Sequence, residues 1–164
     1  MYGKMTEEKR KQIQMYMKNR MDISELIANV SIKGENLSGA IIKTMNRPGD
    51  DISGVNLSRA IIGESDKTVE WSNVIANNCN LYRTRFLGRI RANNAKITNS
   101  NLNRCYVPFA DYKQTDFRGS SFCGAIFRIG TGDGKGAKFD KEVIDLLIKE
   151  WVVSWLLILK RKKK

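Results

Sequence analysis

The chain has 164 residues, a net charge of +12 and no histidine. That length suits one domain with a real core, and the lack of histidine removes the commonest general acid/base and metal ligand. The three cysteines, Cys79, Cys105 and Cys123, are odd in number and widely spaced, which gives no disulfide framework and no zinc motif and points to a reducing cytoplasm.

The N-terminus, MYGKMTEEKRKQ, is charged throughout and has no apolar core region, so no signal peptide is expected. Thr6 is placed to cap a helix, with Glu7 and Glu8 in its first turn, where acidic groups favour the macrodipole. Ile13, Tyr16 and Met17 follow at i, i+3, i+4, a narrow apolar stripe. The spacing predicts a helix over about 7–19. Residues 1–29 are expected to be a capping helix and its lead-in, because the end of a stacked structure exposes apolar surface and unpaired backbone groups.

From Val30 the period becomes five. VSIKG, ENLSG, AIIKT, MNRPG, DDISG, VNLSR and AIIGE run to Glu64. AKITN, SNLNR, CYVPF, ADYKQ, TDFRG, SSFCG and AIFRI run from Ala95 to Ile129. A large apolar residue stands third in nearly every block, and a small one often stands two places before it. Five is neither the 3.6 of a helix nor the 2 of a flat strand, so the chain must turn a corner every five residues. ENLSGAII at 35–42 recurs as VNLSRAII at 55–62, so four blocks make one coil. Ser65–Thr68 reads as a block one residue short, and Arg89 as an extra residue that restores the count. On that reading Ile42, Ile62, Leu81, Leu102 and Phe122 stack on one face. Leu37, Leu57, Ala76, Ile97 and Phe117 form the next, and Ile32, Ile52, Trp71, Ala92 and Tyr112 a third. Arg47, Phe86, Val107 and Phe127 fall on a weaker fourth. The fifth residue of a block is expected at the third position of a β-turn, where φ > 0 favours Gly or Asn; Gly34, Gly39, Asn73, Gly88 and Asn99 are examples.

Blocks such as ENLSG, VNLSR, CNLYR, SNLNR, ADYKQ and TDFRG closely resemble the pentapeptide-repeat family over residues 30–129. The resemblance implies an all-β solenoid: a right-handed quadrilateral parallel β-helix of about five coils, with short N-terminal and C-terminal capping α-helices. At the strand spacing of about 4.8 Å the body would be about 20–25 Å long. The best-known relatives resemble B-form DNA in shape and charge and bind DNA gyrase. That mimicry needs an acidic surface, whereas this chain is strongly basic, so the resemblance implies the fold and not that activity.

Residues 130–139 read as a glycine-rich exit loop. GTGDGKG at 130–136 lacks the spacing and the GK[ST] of a phosphate-binding loop, and 137–139 is a candidate last partial strand. Residues 140–164 read as a C-terminal amphipathic helix, capped by Asp140 and ending in a basic tail, Lys160–Lys164. It turns apolar nearly all round from Trp151 to Leu159, too short and too charged to span a bilayer. It is expected to cap the last coil and pair with its copy in a homodimer through Trp151, Trp155, Leu156 and Ile158. Two other readings stand beside this one: a membrane-interface helix with Trp151 and Trp155 at the headgroups and the lysines on anionic lipid, and a disordered tail.

Residues 79–129 carry nine basic and two acidic side chains. In the expected register Arg83 and Arg104 stack on one corner, Arg85, Arg89 and Arg91 wrap from there round the next edge, and Tyr82 and Tyr106 lie beside them. These five arginines are the candidate site for an anionic partner. Such a row could meet phosphates while tyrosines stack on bases, or it could be the solvated face of a basic protein. Cys79 and Cys105 read as core fillers and Cys123 as outward-facing. Asp50 and Asp51, next to Arg47, suggest a local ion pair. No catalytic pair stands out. The chain therefore reads as a binding protein and not an enzyme, with no cofactor, metal or small-molecule substrate. It is expected in the cytoplasm, either free or at a membrane, with an acidic protein as first partner. Nucleic acid and anionic membrane are the alternatives.

Overall fold

A computed structural model describes residues 2–127 and 134–144. α1 (Glu7–Lys18) starts at Thr6, whose side chain accepts from the Lys9 N–H at 3.2 Å. Its Ile13 is buried, and Tyr16 and Met17 pack against the same core. Arg10 on its outer side donates to both carboxylate oxygens of Glu35, which ties the helix to the first repeats. A second, one-turn helix, α2 (Ser24–Ile27), was not expected; it completes the cap by burying Ile27.

Beyond Val30 the chain forms short parallel strands in two sheets. One contains β1 (Ile41–Ile42), β2 (Ile61–Ile62), β4 (Arg85–Phe86), β6 (Tyr106–Val107) and β8 (Ile126–Phe127), in that spatial order. The other contains β3 (Thr68–Glu70), β5 (Arg89–Arg91) and β7 (Phe109–Asp111). Isolated parallel bridges link Asn36, Asn56, Asn80, Asn101 and Ser121 in one further ladder, and Asp51, Ile75, Lys96, Asp116 and Lys138 in another. The last bridge bears out the expected partial strand at 137–139. Corners follow the anticipated turns: Ala60 N–H bonds to Leu57 O, Val74 to Trp71 O and Ser120 to Phe117 O, with positive φ at Gly34, Gly39, Asn73 and Asn99.

The register between the second and third passes of the chain differs from the expected one. Ile62 pairs with Phe86, not Leu81. Leu81 instead continues Leu37 and Leu57 and runs on to Leu102 and Phe122, because Asn80 bridges Asn56 and Asn101. Ile32 and Ile52 continue into Ala76, Ile97 and Phe117, as the Asp51–Ile75–Lys96–Asp116 bridges require. Arg47 stands in line with Trp71, Ala92 and Tyr112, since the Arg47 N–H donates to Glu70 O and the Ala92 N–H to Asp111 O. Residues 64–67 are therefore an added loop outside the columns and not a shortened block. They turn back through a Lys67 N–H to Glu64 O bond and an ion pair between the same two side chains.

Arg89 is also not the inserted residue. It opens β5, pairing with Thr68 below and Phe109 above. Leu87 and Gly88 link β4 to β5 where Pro108 alone links β6 to β7, so the extra residue lies at 87–88. Gly88 lacks the positive φ expected of it. Its glycine is required by close approach instead: a Cβ there would stand 2.1 Å from Lys67 O and 2.3 Å from Glu64 O.

The core changes character along the body. Ile32, Leu37, Ile42, Ile52, Leu57 and Ile62 fill the N-terminal half with aliphatic side chains. At the far end Phe117 stacks on Phe139 at 4.9 Å, with Tyr112 and Phe122 set edge-on to Phe139. Phe139 thus covers the last ladder. A helical turn at 141–144 follows, with Val143 N–H and Ile144 N–H bonding to Asp140 O. The Asp140 carboxylate accepts from the Gly119 N–H of a neighbouring corner at 2.6 Å. The expected helix beyond 144, with Trp151, Trp155, Leu156 and Ile158, lies outside the described residues.

Candidate functional site: a basic corner

The corner after the Leu57–Leu81–Leu102 column carries Gly39, Arg59, Arg83, Arg104 and Gly124 in one row. The Gly39 N–H bonds to Ser58 O, Arg59 to Tyr82 O, Arg83 to Asn103 O and Arg104 to Cys123 O. All five residues have positive φ, with 60° at Arg59 and 57° at both Arg83 and Arg104. The three arginines are exposed, and their Cα atoms rise by about 4.8 Å per step. Each is held by an Asn at the start of the same turn: Asn80 Oδ1 accepts from the Tyr82 N–H and Asn101 Oδ1 from the Asn103 N–H, both at 3.1 Å. The Arg83 guanidinium lies 5.2 Å from the Tyr82 ring centre. Arg85, also exposed, follows on β4, with Tyr106 next to it in the ladder.

The structure therefore brings Arg83, Arg85 and Arg104 together, as expected, and separates Arg89 and Arg91 from them. Arg89 Nη1 lies 3.2 Å from Asp111 Oδ2, and Arg91 bonds Glu70 Oε2 at 3.0 Å while also facing Asp111. These two are largely neutralised by their carboxylates. Arg59 takes their place. The sequence reading missed it because its block lies in the less basic half of the chain; the signal was there in VNLSR, which puts Arg where the turn favours Gly or Asn. Arg59, Arg83, Arg85 and Arg104 have no carboxylate partner among the described residues. Elsewhere Arg10, Arg47 and Arg118 each have one.

No family model matches the chain, and no curated protein matches it. Among solved structures it is similar to trypsin-treated QnrB1, a plasmid-mediated fluoroquinolone resistance protein. The two share 14% identity with a TM-score of 0.24, over 71% of this chain and 62% of that one. At that identity and score the fold rests on this chain's own ladders.

The other candidate groups have structural roles. Cys79 and Cys105 are buried, and burial pushes their thiols up to about 11 and about 12, far from reactive thiolates. Cys123 is exposed. The suspected ion pair is Arg47–Asp50, at 2.6 Å and fully inside; Asp51 pairs instead with Lys33 at 2.5 Å. Among the described residues no group of three or more His, Cys, Asp or Glu could hold a metal, and no helix is long and apolar enough to cross a membrane.

Two surface carboxylates link pH to stability. Arg118 grips Asp116 through Nε and Nη2 and holds its carboxyl at about 2. Partial burial pushes Asp51 up, but Lys33 and Ser53 outweigh it and hold that carboxyl also at about 2. Both values lie below the unfolded value of about 3.9. This stabilisation is present above pH 4 and is lost as pH falls through 2. Thermal melts should show Tm falling between pH 4 and pH 2, and the fall should be shallower in an Arg118→Gln/Lys33→Gln variant. An equally steep fall in that variant would assign the acid sensitivity to other carboxylates.

Proposed function

We propose that this chain is a non-catalytic pentapeptide-repeat scaffold that presents a basic surface to an acidic protein partner. In this reading its parallel ladders close into right-handed, four-sided coils. The observation that supports it is the grouping of Arg59, Arg83 and Arg104 on one corner, with Arg85 beside them on β4, all without a carboxylate partner among the described residues, while Arg10, Arg47, Arg89, Arg91 and Arg118 are paired. Such a row sets up an uncompensated positive potential that attracts and steers an acidic partner. The reading includes a cytoplasmic setting and a homodimer formed through the C-terminal helix. Sedimentation at micromolar concentration tests the dimer, and a folded monomer from Trp155→Asp would support it.

A second reading, binding to nucleic acid, is favoured by Tyr82 and Tyr106 beside the arginines, since aromatic rings stack on bases. Fluorescence anisotropy separates the two readings, with polyglutamate and a duplex DNA as probes over a range of salt. Polyglutamate binding that weakens when Arg83 and Arg104 are both replaced by Gln is the expected result. Duplex binding with a salt slope that the same double replacement flattens by about 2 would favour nucleic acid, at about 0.9 per phosphate contact. If neither probe binds at low salt, the basic-corner reading fails. A membrane role resting on Trp151, Trp155 and Lys160–Lys164 would show as liposome co-sedimentation lost on removal of 151–164.

A further inference from the structure

The three corner arginines break a local rule that most of the equivalent turns keep. At equivalent turn positions the left-handed backbone is filled by Gly34, Gly54, Gly119, Asn73, Asn78, Asn94 and Asn99, residues that adopt it cheaply. Only Gln114 joins the arginines among the long side chains at such corners of the described residues. Arg59, Arg83 and Arg104 thus adopt a disfavoured backbone on three consecutive steps, side by side, with like charges stacked and no carboxylate among the described residues to offset them. Backbone strain held in place by its surroundings clusters at functional sites, and here it coincides with these unpaired charges. The row is also preorganised. Asn56, Asn80 and Asn101 pin its turns, and Tyr82 lies against the Arg83 guanidinium.

Spacing identifies the partner. Three cations rise by about 4.8 Å per step in a straight line. Side chains at i, i+3/i+4 and i+7 on one face of an α-helix are about 5–6 Å apart along a nearly straight line, close enough for flexible arginine stems to match. We infer that Arg59, Arg83 and Arg104 form a docking row for an acidic α-helix carrying Asp or Glu at i, i+3/i+4 and i+7, laid along the row with Arg85 flanking it. This rests on the acidic-partner reading above and adds the geometry of the partner.

The test uses the full chain and three probes in anisotropy titrations. One is a helical peptide with glutamates at i, i+4 and i+7 on one face. The second has the same composition with the glutamates spread around the helix. The third is a duplex DNA. The patterned peptide should bind at least tenfold tighter than the spread one, and the triple variant Arg59→Asn/Arg83→Asn/Arg104→Asn should abolish that preference. The same variant should melt at or above the temperature of the unaltered chain, because Asn suits the left-handed turn; a purely structural role for the arginines would lower it. Arg89→Gln/Arg91→Gln should leave the preference intact. Equal binding of both peptides through the row would overturn the helical partner while leaving the basic corner as an acidic-protein site. Duplex binding in preference to both peptides would replace the protein partner with nucleic acid. No binding by any probe would sink both this inference and the reading beneath it.

Discussion

Arg47→Met should lower stability by about 3–5 kcal/mol, the usual cost of breaking one side of a buried ion pair. Arg47 occupies a column position that holds Trp71, Ala92 and Tyr112 in later passes, and only 2% of it is exposed. Its Nη1 donates to Asp50 Oδ2 at 2.6 Å, and its Nη2 donates to the carbonyls of Ile27 and Val30, the first just at the end of α2. The guanidinium also lies 4.7 Å from the Tyr2 ring centre. One side chain therefore neutralises a buried carboxylate and satisfies backbone oxygens where the cap meets the repeats. Arg47→Met strands the Asp50 carboxylate and the Val30 carbonyl, while the Ile27 carbonyl keeps the Val30 N–H at 3.3 Å. Adding Asp50→Val restores the residue type found above and below it, Val74 and Val30, and removes the stranded charge. The double variant should recover part of the loss but not all, because the Val30 carbonyl, left without the Arg47 donor, still costs about 1–3 kcal/mol. Urea unfolding reads both values. A single variant as stable as the unaltered chain would show that this guanidinium does not hold the cap.

Trp71→Ala should cost about 3–5 kcal/mol, the range for removing a large aromatic from a packed core. Trp71 is 1% exposed, sets its ring edge-on to Phe86 at 5.5 Å, and donates from Nε1 to Met45 O at 3.1 Å. Trp71→Phe should keep most of the packing yet leave the Met45 carbonyl without its donor, a loss of about 1–3 kcal/mol. A double-mutant cycle with Phe86→Ala should return a coupling of about 0.5–1.5 kcal/mol for the aromatic pair. Loss of less than about 1 kcal/mol in Trp71→Ala would mean that the third pass does not sit on Arg47 and Met45 as described. Thermal or urea melts supply the measurement, with Arg83→Asn at the exposed corner as a control that should change little.

The period of five, the large and small positions within a block, the left-handed corners, the Thr6 cap and the burial of Cys79 and Cys105 were all legible in the residues alone. Each depends on local backbone geometry or on side-chain size within a few positions. What the residues could not settle was how the two halves of the repeat join. Reading Ser65–Thr68 as a short block places Ile62 under Leu81; reading it as an added loop places Ile62 under Phe86. The two differ by one whole block, so the phase is preserved either way, and Ile, Leu and Phe fill any of the columns about equally well. Only contacts made across passes distinguish them: β3 must pair with β5, the Trp71 indole must reach Met45 O, and Gly88 must pass beneath the carbonyls of residues 64 and 67. The position of the single extra residue was ambiguous for the same reason, and it moved from Arg89 to 87–88 once β5 had to meet strands on both sides. Of the candidate site, the basic excess and the Arg83–Arg104 corner were visible in the chain. Which arginines keep their charge was decided by tertiary structure, because Glu70 and Asp111, the groups that neutralise Arg89 and Arg91, come from the passes below and above and reach them only in the register the fold adopts.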